Sequence, residues 1–294
     1  MRKILKLRAP AKINLWLEVL SKRPDGYHDL STLMIPLEWG DDLVLEKTKE
    51  GIHLECSDKK LGEGRTNLAY RAAEVFFAAL GDKHFSGAIG GTRIKLIKRI
   101  PVGAGLGGGS SDAAAVLKGL NELYGSPFEA VELIDLALSL GADVPFFIEA
   151  RPALATGVGE RLKFLETKGK NAEILPMWFV IVKPDFEVST REAYGRIRLT
   201  TTKDRINITC LRNFRSNLHE IIRNDLEEVV IGLFPEVGNI KKVLGEQGAI
   251  AASMTGSGSA VFGVFSKESE AVEVSKKLAR RWPSYFVLAT RGAY

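Results

Sequence analysis

A run of glycines near the middle of the chain constrains its fold more than any other segment. Residues 101–112 read PVGAGLGGGSSD, with five glycines among the seven positions 103–109. Because glycine lacks a Cβ and tolerates positive φ, successive backbone N–H groups can turn toward one bound anion. A helix pattern follows at 112–124, with Ser111 or Asp112 as its expected N-cap, and a helix N-terminus carries about half a positive charge. These features predict a phosphate-binding turn.

Two other phosphate motifs fit this segment less well. Gly103, Gly105 and Gly108 satisfy the dinucleotide pattern G-x-G-x-x-G, but that pattern follows a buried parallel strand. Here the preceding residues 93–101, RIKLIKRIP, alternate apolar and charged side chains and end in proline. A Walker A loop needs Lys-Ser or Lys-Thr after its last glycine, where this chain has Gly109-Ser110. A flexible linker is disfavoured because a capped, Ala-rich helix follows at once.

Composition and charge narrow the class of protein. The chain has 294 residues, a length at which chains usually divide into two domains, and a mean hydropathy of zero. Its longest apolar run, residues 174–182, is too short to span a bilayer, and no signal-peptide pattern is present, so we expect a cytoplasmic protein with no membrane partner.

The scattered cysteines and histidines indicate neither a disulfide framework nor a zinc site. A net charge of +5 suits an anionic substrate, and we interpret the basic stretch 196–215 as a solvated face.

Strand and helix patterns alternate in both halves of the chain, which predicts the α+β class. The second helix is the one after the glycine run, and the third is expected to begin with Ser126 as N-cap and Pro127 at its first position. A link near residue 165 indicates two domains, residues 1–164 and residues 165–294. Helices are expected at 66–81, 112–124, 126–141, 190–198, 215–229, 237–247 and 266–282.

Phosphoryl transfer also needs a group that receives the proton of the acceptor hydroxyl. Asp143 is a candidate because it lies in an apolar segment, GADVPFF, although aspartates in turns are more often simply exposed. Lys12, in PAKINLWL, has apolar neighbours on both sides, so it is either functional or snorkels from a strand. If the two met, the lysine would favour the ionised carboxylate and neutralise charge on the transferred group.

Two further turns carry residue types suited to ligand binding. Tyr27 and His28, in DGYHDL, could recognise a nucleobase by stacking and edge hydrogen bonds, or cover a sheet edge. The segment TGSGS, residues 255–259, is a second glycine loop between strands. It allows close approach of its backbone to a ligand, and a plain hairpin turn explains it equally well.

These segments together resemble a known family. PVGAGLGGGSSDAAA is similar to the phosphate loop of the GHMP small-molecule kinases, which include galacto-, homoserine and mevalonate kinases. PAKINLWLEV, RPDGYHDL, GADVPFF, ALATGVGE and MTGSGSAVF resemble in particular the branch that acts on 4-diphosphocytidyl-2-C-methyl-D-erythritol, in the non-mevalonate route to isoprenoid precursors. The resemblance implies a two-domain α+β GHMP kinase fold, with a ribosomal-S5-domain-2-like N-terminal domain, a ferredoxin-like C-terminal domain and the active site in the cleft between them. It also implies ATP and Mg²⁺, and transfer of the γ-phosphoryl group to the 2-hydroxyl of that small-molecule substrate.

The resemblance further implies roles for individual residues. Lys12 and Asp143 match the catalytic pair, Asn14 a substrate contact, and Tyr27 and His28 the cytosine pocket. An aromatic residue after KPDFEVST should stack on the other face of the cytosine, and we choose Tyr194, with Phe186 in reserve. The resemblance gives no protein ligand for Mg²⁺. The positions that match the ATP loop are Pro101, Val102, Gly103, Ala104, Gly105, Leu106, Gly107, Gly108, Gly109, Ser110 and Ser111.

Two alternatives remain open at this point. One is another GHMP kinase, of the homoserine or mevalonate type, whose acceptor carries no nucleobase. The other is a nucleic-acid-binding module, which the S5-like fold and the basic pI would allow. The sequence leaves the oligomeric state undecided.

Overall fold

The computed structural model describes residues 3–83, 90–167, 176–197 and 218–294. The strands in these ranges are β1 (Ile4–Lys22), β2 (His28–Thr48), β3 (Ile52–Cys56), β4 (Gly91–Ile97), β5 (Ala153–Gly157), β6 (Arg161–Phe164), β7 (Trp178–Lys183), β8 (Arg223–Asn224), β9 (Ala251–Met254), β10 (Val261–Phe265) and β11 (Phe286–Arg291). The helices are α1 (Leu68–Asp82), α2 (Gly108–Leu123), α3 (Ala130–Leu140), α4 (Val144–Glu149), α5 (Thr190–Arg196), α6 (Leu218–Ile221), α7 (Glu227–Leu233), α8 (Pro235–Glu246) and α9 (Glu268–Arg281).

The chain divides into two compact units that interleave along the sequence. Unit 1 comprises Met1–Ala11, Gly40–Ile100 and Gly107–Ala150, and unit 2 comprises Lys12–Trp39, Pro101–Leu106 and Arg151–Tyr294. The long strands β1 and β2 each contribute to both units, and the glycine run is divided after residue 106. The division into residues 1–164 and 165–294 that we expected from the sequence differs from these two units and stays a prediction.

Unit 1 packs a layer of helices against strands. β4 lies between β3, to which it is parallel, and β2, to which it is antiparallel. The alternation read in RIKLIK has its expected effect in β4, where Ile94 and Leu96 are buried and Arg93 and Lys95 are exposed. Helix α2 packs against α1, α3 and α4, and its small residues let these helices approach closely.

The helix expected at 66–81 forms as α1, which runs through Gly81 to Asp82 and does not stop at that glycine, while the next two helices begin at other residues than predicted. α1 starts after Asn67, whose side chain accepts a hydrogen bond from the backbone N–H of Ala69. α2 starts at Gly108, four residues before the expected start, because its N-cap is the left-handed Gly107 and not Ser111 or Asp112. α3 starts at Ala130, since a reciprocal capping box between Glu129 and Glu132 replaces the predicted cap at Ser126.

Unit 2 contains two groups of strands. In the first, β1 lies next to β2 and pairs in parallel with β8, while β5 pairs antiparallel with both β2 and β6. The second is a four-stranded antiparallel sheet of order β11-β7-β10-β9, against which α8 and α9 pack. The predicted helix 215–229 is interrupted, because β8 separates α6 from α7. Its first residues, 215–217, lie outside the described residues.

The core of unit 2 follows from the apolar runs of the sequence. Every residue of β10 is buried, as are all but the first of β7. Helix α9 adds Ala271, Val274 and Leu278, which recur at helical spacing on one face. Helices on an antiparallel sheet make this an α+β architecture, as the sequence predicted.

Candidate active site

Lys12 and Asn14 lie on one face of β1 and are in direct contact. The Nζ of Lys12 donates a hydrogen bond to the Oδ1 of Asn14 over 2.5 Å, and each residue is only 3% exposed. A lysine buried to this degree is held in place by polar partners, because an ammonium without them would lose its hydration uncompensated. The strand therefore presents a fixed cation, in an environment where its charge is weakly screened.

Two threonines complete the network around Asn14. The Nδ2 of Asn14 donates to Thr32 over 2.8 Å, and its backbone N–H donates to the Oγ1 of Thr255 over 2.9 Å. Thr32 in turn donates to the backbone carbonyl of Trp16. The Oγ1 of Thr255 also donates to the Oδ1 of Asn14 over 3.3 Å, so the two buried threonines hold the side-chain amide, whose oxygen also contacts the lysine.

The first part of the glycine run, residues 101–106, lies against the second glycine loop. The backbone N–H groups of Ser259 and Ala260 donate to the carbonyls of Gly103 and Ala104, both over 3.3 Å. A Cβ on Gly105 would lie 2.2 Å from the carbonyl oxygen of Thr255, so only glycine fits there. The close approach made by TGSGS is thus to the other loop, a pairing that the sequence did not indicate.

Asn224, on β8, fixes this second loop. Its Nδ2 donates to the carbonyls of Met254 and Gly256, over 2.9 and 2.8 Å, and its Oδ1 accepts from the backbone N–H of Leu226. All of these groups belong to unit 2. The loop that contacts residues 103–106 is therefore itself held by a buried amide.

The second part of the run, residues 107–111, forms the beginning of α2 in unit 1. Gly107 adopts a φ of 74° and the backbone N–H of Ser111 donates to its carbonyl. The N–H groups of the first helical turn have no acceptor within the helix. The anion site expected from the sequence stays a prediction, and its second part would be a helix turn and not an extended loop.

His28 and Tyr194 form an aromatic pair in unit 2. Their ring centroids are 5.3 Å apart, with an angle of 34° between the ring planes. Burial, together with the charge of Lys22, lowers the pKa of His28 and so favours the neutral imidazole, which can both donate and accept a hydrogen bond. The reserve candidate Phe186 instead stacks on Phe234, at 4.7 Å and 12°.

Tyr27 and Asp143 are placed differently from these buried groups. Tyr27 is 65% exposed, at the tip of the β1–β2 hairpin, where the ion pair of Arg23 with Asp29 braces the turn. Asp143 is half-buried and directly precedes α4 in unit 1, a segment expected to lack helix. The five residues after Asp143 are buried and apolar.

Sequence reasoning missed the groups that hold the predicted residues. Thr255 lay in a loop already singled out, but its partner Asn14 is 241 positions away. Thr32 stands in an ordinary strand pattern, and Asn224 in a segment expected to be helical. Motif spacing carries no signal for such partners, because they become neighbours only in the tertiary fold, through strand pairing and the placement of a loop.

Comparison with known proteins identifies the family. The family model described as "GHMP kinases N terminal domain" matches residues 67–151, and "GHMP kinases C terminal" matches residues 206–284. A protein of Geobacter sp. (strain M21) named 4-diphosphocytidyl-2-C-methyl-D-erythritol kinase is 43% identical over 293 residues, which cover 98% of this chain and 99% of that protein. One of Desulfotalea psychrophila with the same name is 46% identical over 271 residues, covering 90% of this chain and 86% of that protein. This chain belongs to the 4-diphosphocytidyl-2-C-methyl-D-erythritol kinase family.

Solved structures agree with this membership. A crystal structure of 4-(cytidine 5'-diphospho)-2C-methyl-D-erythritol kinase is 38% identical, with a TM-score of 0.83 and coverage of 99% of this chain and 100% of that one. Homoserine kinase from Cytophaga hutchinsonii, 17% identical with a TM-score of 0.73, covers 100% of this chain and 95% of that one and shares the fold. The GHMP kinase fold expected for this kinase is thereby confirmed.

The ranges of this kinase that the structure describes contain neither a membrane-spanning helix nor a cluster of metal ligands. Among those ranges, none of the helices combines the length and apolar character required to cross a bilayer. Within the same ranges, no group of three or more His, Cys, Asp or Glu side chains could hold a metal ion.

Proposed function

We propose that this chain transfers the γ-phosphoryl group of ATP to the 2-hydroxyl of 4-diphosphocytidyl-2-C-methyl-D-erythritol, a step toward isoprenoid precursors. Relatives with this name match nearly the whole chain, which favours this activity over the homoserine and mevalonate kinase alternatives. The observation that carries the choice of acceptor is the contact of His28 with Tyr194. A paired imidazole and phenol ring is suited to a nucleobase, which homoserine and mevalonate lack.

The glycine run binds the ATP phosphates in this proposal. At Gly103 an added Cβ would lie 2.7 Å from the Glu187 side chain, and at Gly105 it would meet backbone. The backbone conformation of residues 103–106 therefore requires glycine at these two positions. The first turn of α2 supplies N–H donors and a partial positive charge. Both features fit a polyphosphate.

Lys12 and Asp143 supply the chemistry. Phosphoryl transfer depends mainly on positioning and charge stabilisation, with one group accepting the proton of the attacking hydroxyl. Asp143 accepts that proton in this proposal. Lys12, held rigidly by Asn14, stabilises the negative charge on the transferred group.

Asn14, Tyr27, His28 and Tyr194 bind the acceptor in the proposal. The ring pair of His28 and Tyr194 receives the cytosine, and neutral His28 can both donate and accept a hydrogen bond at its edge. Tyr27, being exposed, can close over the base once it is bound.

Mg²⁺ accompanies the nucleotide in the proposed reaction. In kinases this ion is usually held by substrate phosphates together with one or two carboxylates and waters, and it neutralises charge on the phosphates. No residue of this chain is assigned to it. We also propose that the enzyme acts in the cytoplasm, without a nucleic-acid or membrane partner.

A panel of acceptors tests the function. ADP release is measured with ATP, Mg²⁺ and one acceptor at a time: 4-diphosphocytidyl-2-C-methyl-D-erythritol, homoserine or mevalonate. We expect turnover with the cytidyl acceptor alone. Turnover with homoserine or mevalonate and none with the cytidyl compound would contradict the choice of acceptor.

A further inference from the structure

A buried ionic cluster lies at the base of the glycine run in unit 1. The Nζ of Lys98 contacts the Oδ2 of Asp41 at 2.5 Å and the Oδ2 of Asp112 at 2.6 Å. All three side chains are almost fully buried, with exposures of 7%, 0% and 3%. None of the roles proposed above uses them.

The cluster joins the two ends of the phosphate-binding segment. Asp41 accepts hydrogen bonds from the backbone N–H groups of Arg99 and Ile100, the residues that enter the run. Asp112 stands in the first turns of α2, directly after the run ends. Lys98 bridges the two carboxylates, so residues 98–100 are tied to residue 112 through the Asp41 and Lys98 side chains.

Lys98 also lies immediately beside the helix start. A Cβ placed on Gly108 would be 3.3 Å from its Nζ. The position of this ammonium is therefore coupled to the turn whose N–H groups face the proposed phosphates.

The charges of the cluster do not balance while both carboxylates are ionised. One lysine and two aspartates then carry a net negative charge, next to a site for a polyanion. Such a charge would oppose phosphate binding, because buried charges are weakly screened. One proton on an aspartate would make the cluster neutral.

Asp112 is the group best placed to hold that proton. Its Oδ1 and the Oγ of Ser111 are buried and have no hydrogen-bond partner among the described residues. Burial raises the pKa of Asp112 to about 8, with Asp41 adding to the rise and Lys98 opposing it. A protonated Asp112 gains an O–H donor, which the ionised form lacks.

The other groups around Asp112 are mostly apolar. Among the described residues, the thiol of Cys56 on β3 also interacts electrostatically with Lys98 and Asp112, and burial raises its pKa, which favours the neutral thiol. Helices α1, α3 and α4 pack on α2, and the residues that these three helices bury are all apolar.

We infer that Asp41, Lys98 and Asp112 are positioning residues that hold the phosphate-binding turn, and that ATP binds preferentially when Asp112 carries a proton. This inference rests on the proposed function, since it takes ATP as the ligand of the turn. It assigns the cluster no contact with the reacting atoms.

ATP affinity measured across pH tests the inference. The dissociation constant is determined by calorimetry without acceptor, from about pH 6 to about pH 10, for the wild type, Asp112→Asn and Asp42→Asn. Asp112→Asn keeps the shape and stays neutral. Asp42 is a matched control, because it neighbours Asp41 but pairs with Arg8 and Arg99 at the surface.

The sign follows from linkage. If the protonated form binds ATP, affinity is full below the pKa of the free protein and falls above it, by up to about tenfold per pH unit. We expect this fall in the wild type and Asp42→Asn, and a flat profile in the same window for Asp112→Asn. Coincident profiles for the wild type and Asp112→Asn, with ATP still bound, would overturn the inference alone. No ATP binding by the wild type at any pH would overturn the proposed function as well.

A measurement without ATP gives an independent check. Because the pKa of Asp112 is raised on folding, its contribution to stability is complete below its unfolded pKa and is lost as pH rises through its folded pKa of about 8. The free energy of unfolding of Asp112→Asn minus that of the wild type should therefore increase with pH up to this folded pKa and stay constant above it. A difference that is constant with pH would show Asp112 ionised throughout and overturn the inference.

Discussion

The Nζ of Lys12 lies 2.5 Å from the Oδ1 of Asn14, and both side chains are almost completely buried. This contact converts a flexible lysine into a fixed cation, since a four-carbon side chain without a partner would sample many rotamers. Asn14 is thus a positioning residue for Lys12, in addition to its proposed contact with the substrate.

Replacing Asn14 tests this relationship. Asn14→Leu should lower kcat by about tenfold or more and destabilise the fold by about 1–3 kcal/mol, because buried hydrogen bonds are lost. Asn121→Leu is a matched control, since Asn121 is also buried. Its Nδ2 donates a hydrogen bond to the backbone carbonyl of Phe128, and its Oδ1 accepts one from the backbone N–H of Phe128. We expect the control to cost stability while kcat stays near that of the wild type. Equal losses of kcat in both variants would remove the positioning role.

Replacing Asp143 tests the proton acceptor. General-base catalysis contributes about 10²–10⁴-fold, so Asp143→Asn should lower kcat by about that factor while the dissociation constant for ATP changes little. Steady-state kinetics and calorimetry measure the two quantities. Asp135→Asn, at an exposed position on α3, serves as a control for loss of a carboxylate from the same unit. Turnover near the wild-type rate in Asp143→Asn would exclude Asp143 as the base.

Substitutions at Tyr194 and Phe186 test which of these two residues stacks on the cytosine. Tyr194→Ala should raise KM for the cytidyl acceptor by about 5- to 150-fold, because stacking on a base contributes about 1–3 kcal/mol. Tyr194→Phe keeps the ring and should restore most of the affinity. Phe186→Leu should lower the melting temperature instead, since Phe186 stacks on Phe234. The opposite pattern, with KM raised only in Phe186→Leu, would transfer the stacking role to Phe186.

The contact between the two glycine loops can be tested at Gly105. Gly105 and Gly125 both have positive φ, at 73° and 84°, but an added Cβ meets the carbonyl of Thr255 at 2.2 Å in the first and nothing within 4 Å in the second. Both alanine variants lose about 1–2 kcal/mol to backbone strain. Gly105→Ala should lose more of the free energy of unfolding than Gly125→Ala, and it should bind ATP more weakly. Equal unfolding free energies and ATP affinities in the two variants would argue against the close approach.

Elements with a strong local pattern could be predicted from the sequence. The helix expected at 66–81, the helix end expected at residue 141 and the alternation in β4 all depend on neighbouring residues. The start of α2 could not, because Gly108 and Gly109 have low helix propensity and adjacent glycines are typical of a loop. Packing of α2 against three other helices outweighs that preference.

The polar partners at the site could not be predicted from neighbouring residues either, because they too depend on the tertiary fold. Lys12 stood out because an ammonium among apolar residues is unusual, but its environment requires Thr32 and Thr255, which strand pairing and a loop bring near. Lys98 and Asp41, 57 positions apart, have no motif in common. A sequence shows which residue types can do chemistry, whereas their partners depend on the tertiary fold.

Phosphorus NMR of the reaction product tests the central claim most directly. The 2-hydroxyl of the acceptor is on the carbon that bears the methyl group, so a phosphate placed there has no hydrogen on its ester carbon. With ATP, Mg²⁺ and 4-diphosphocytidyl-2-C-methyl-D-erythritol, we predict a new phosphate monoester signal without three-bond coupling to hydrogen, formed in step with ADP. A monoester signal split by such coupling, or an acceptor left unchanged while the enzyme is folded and binds ATP, would contradict the account.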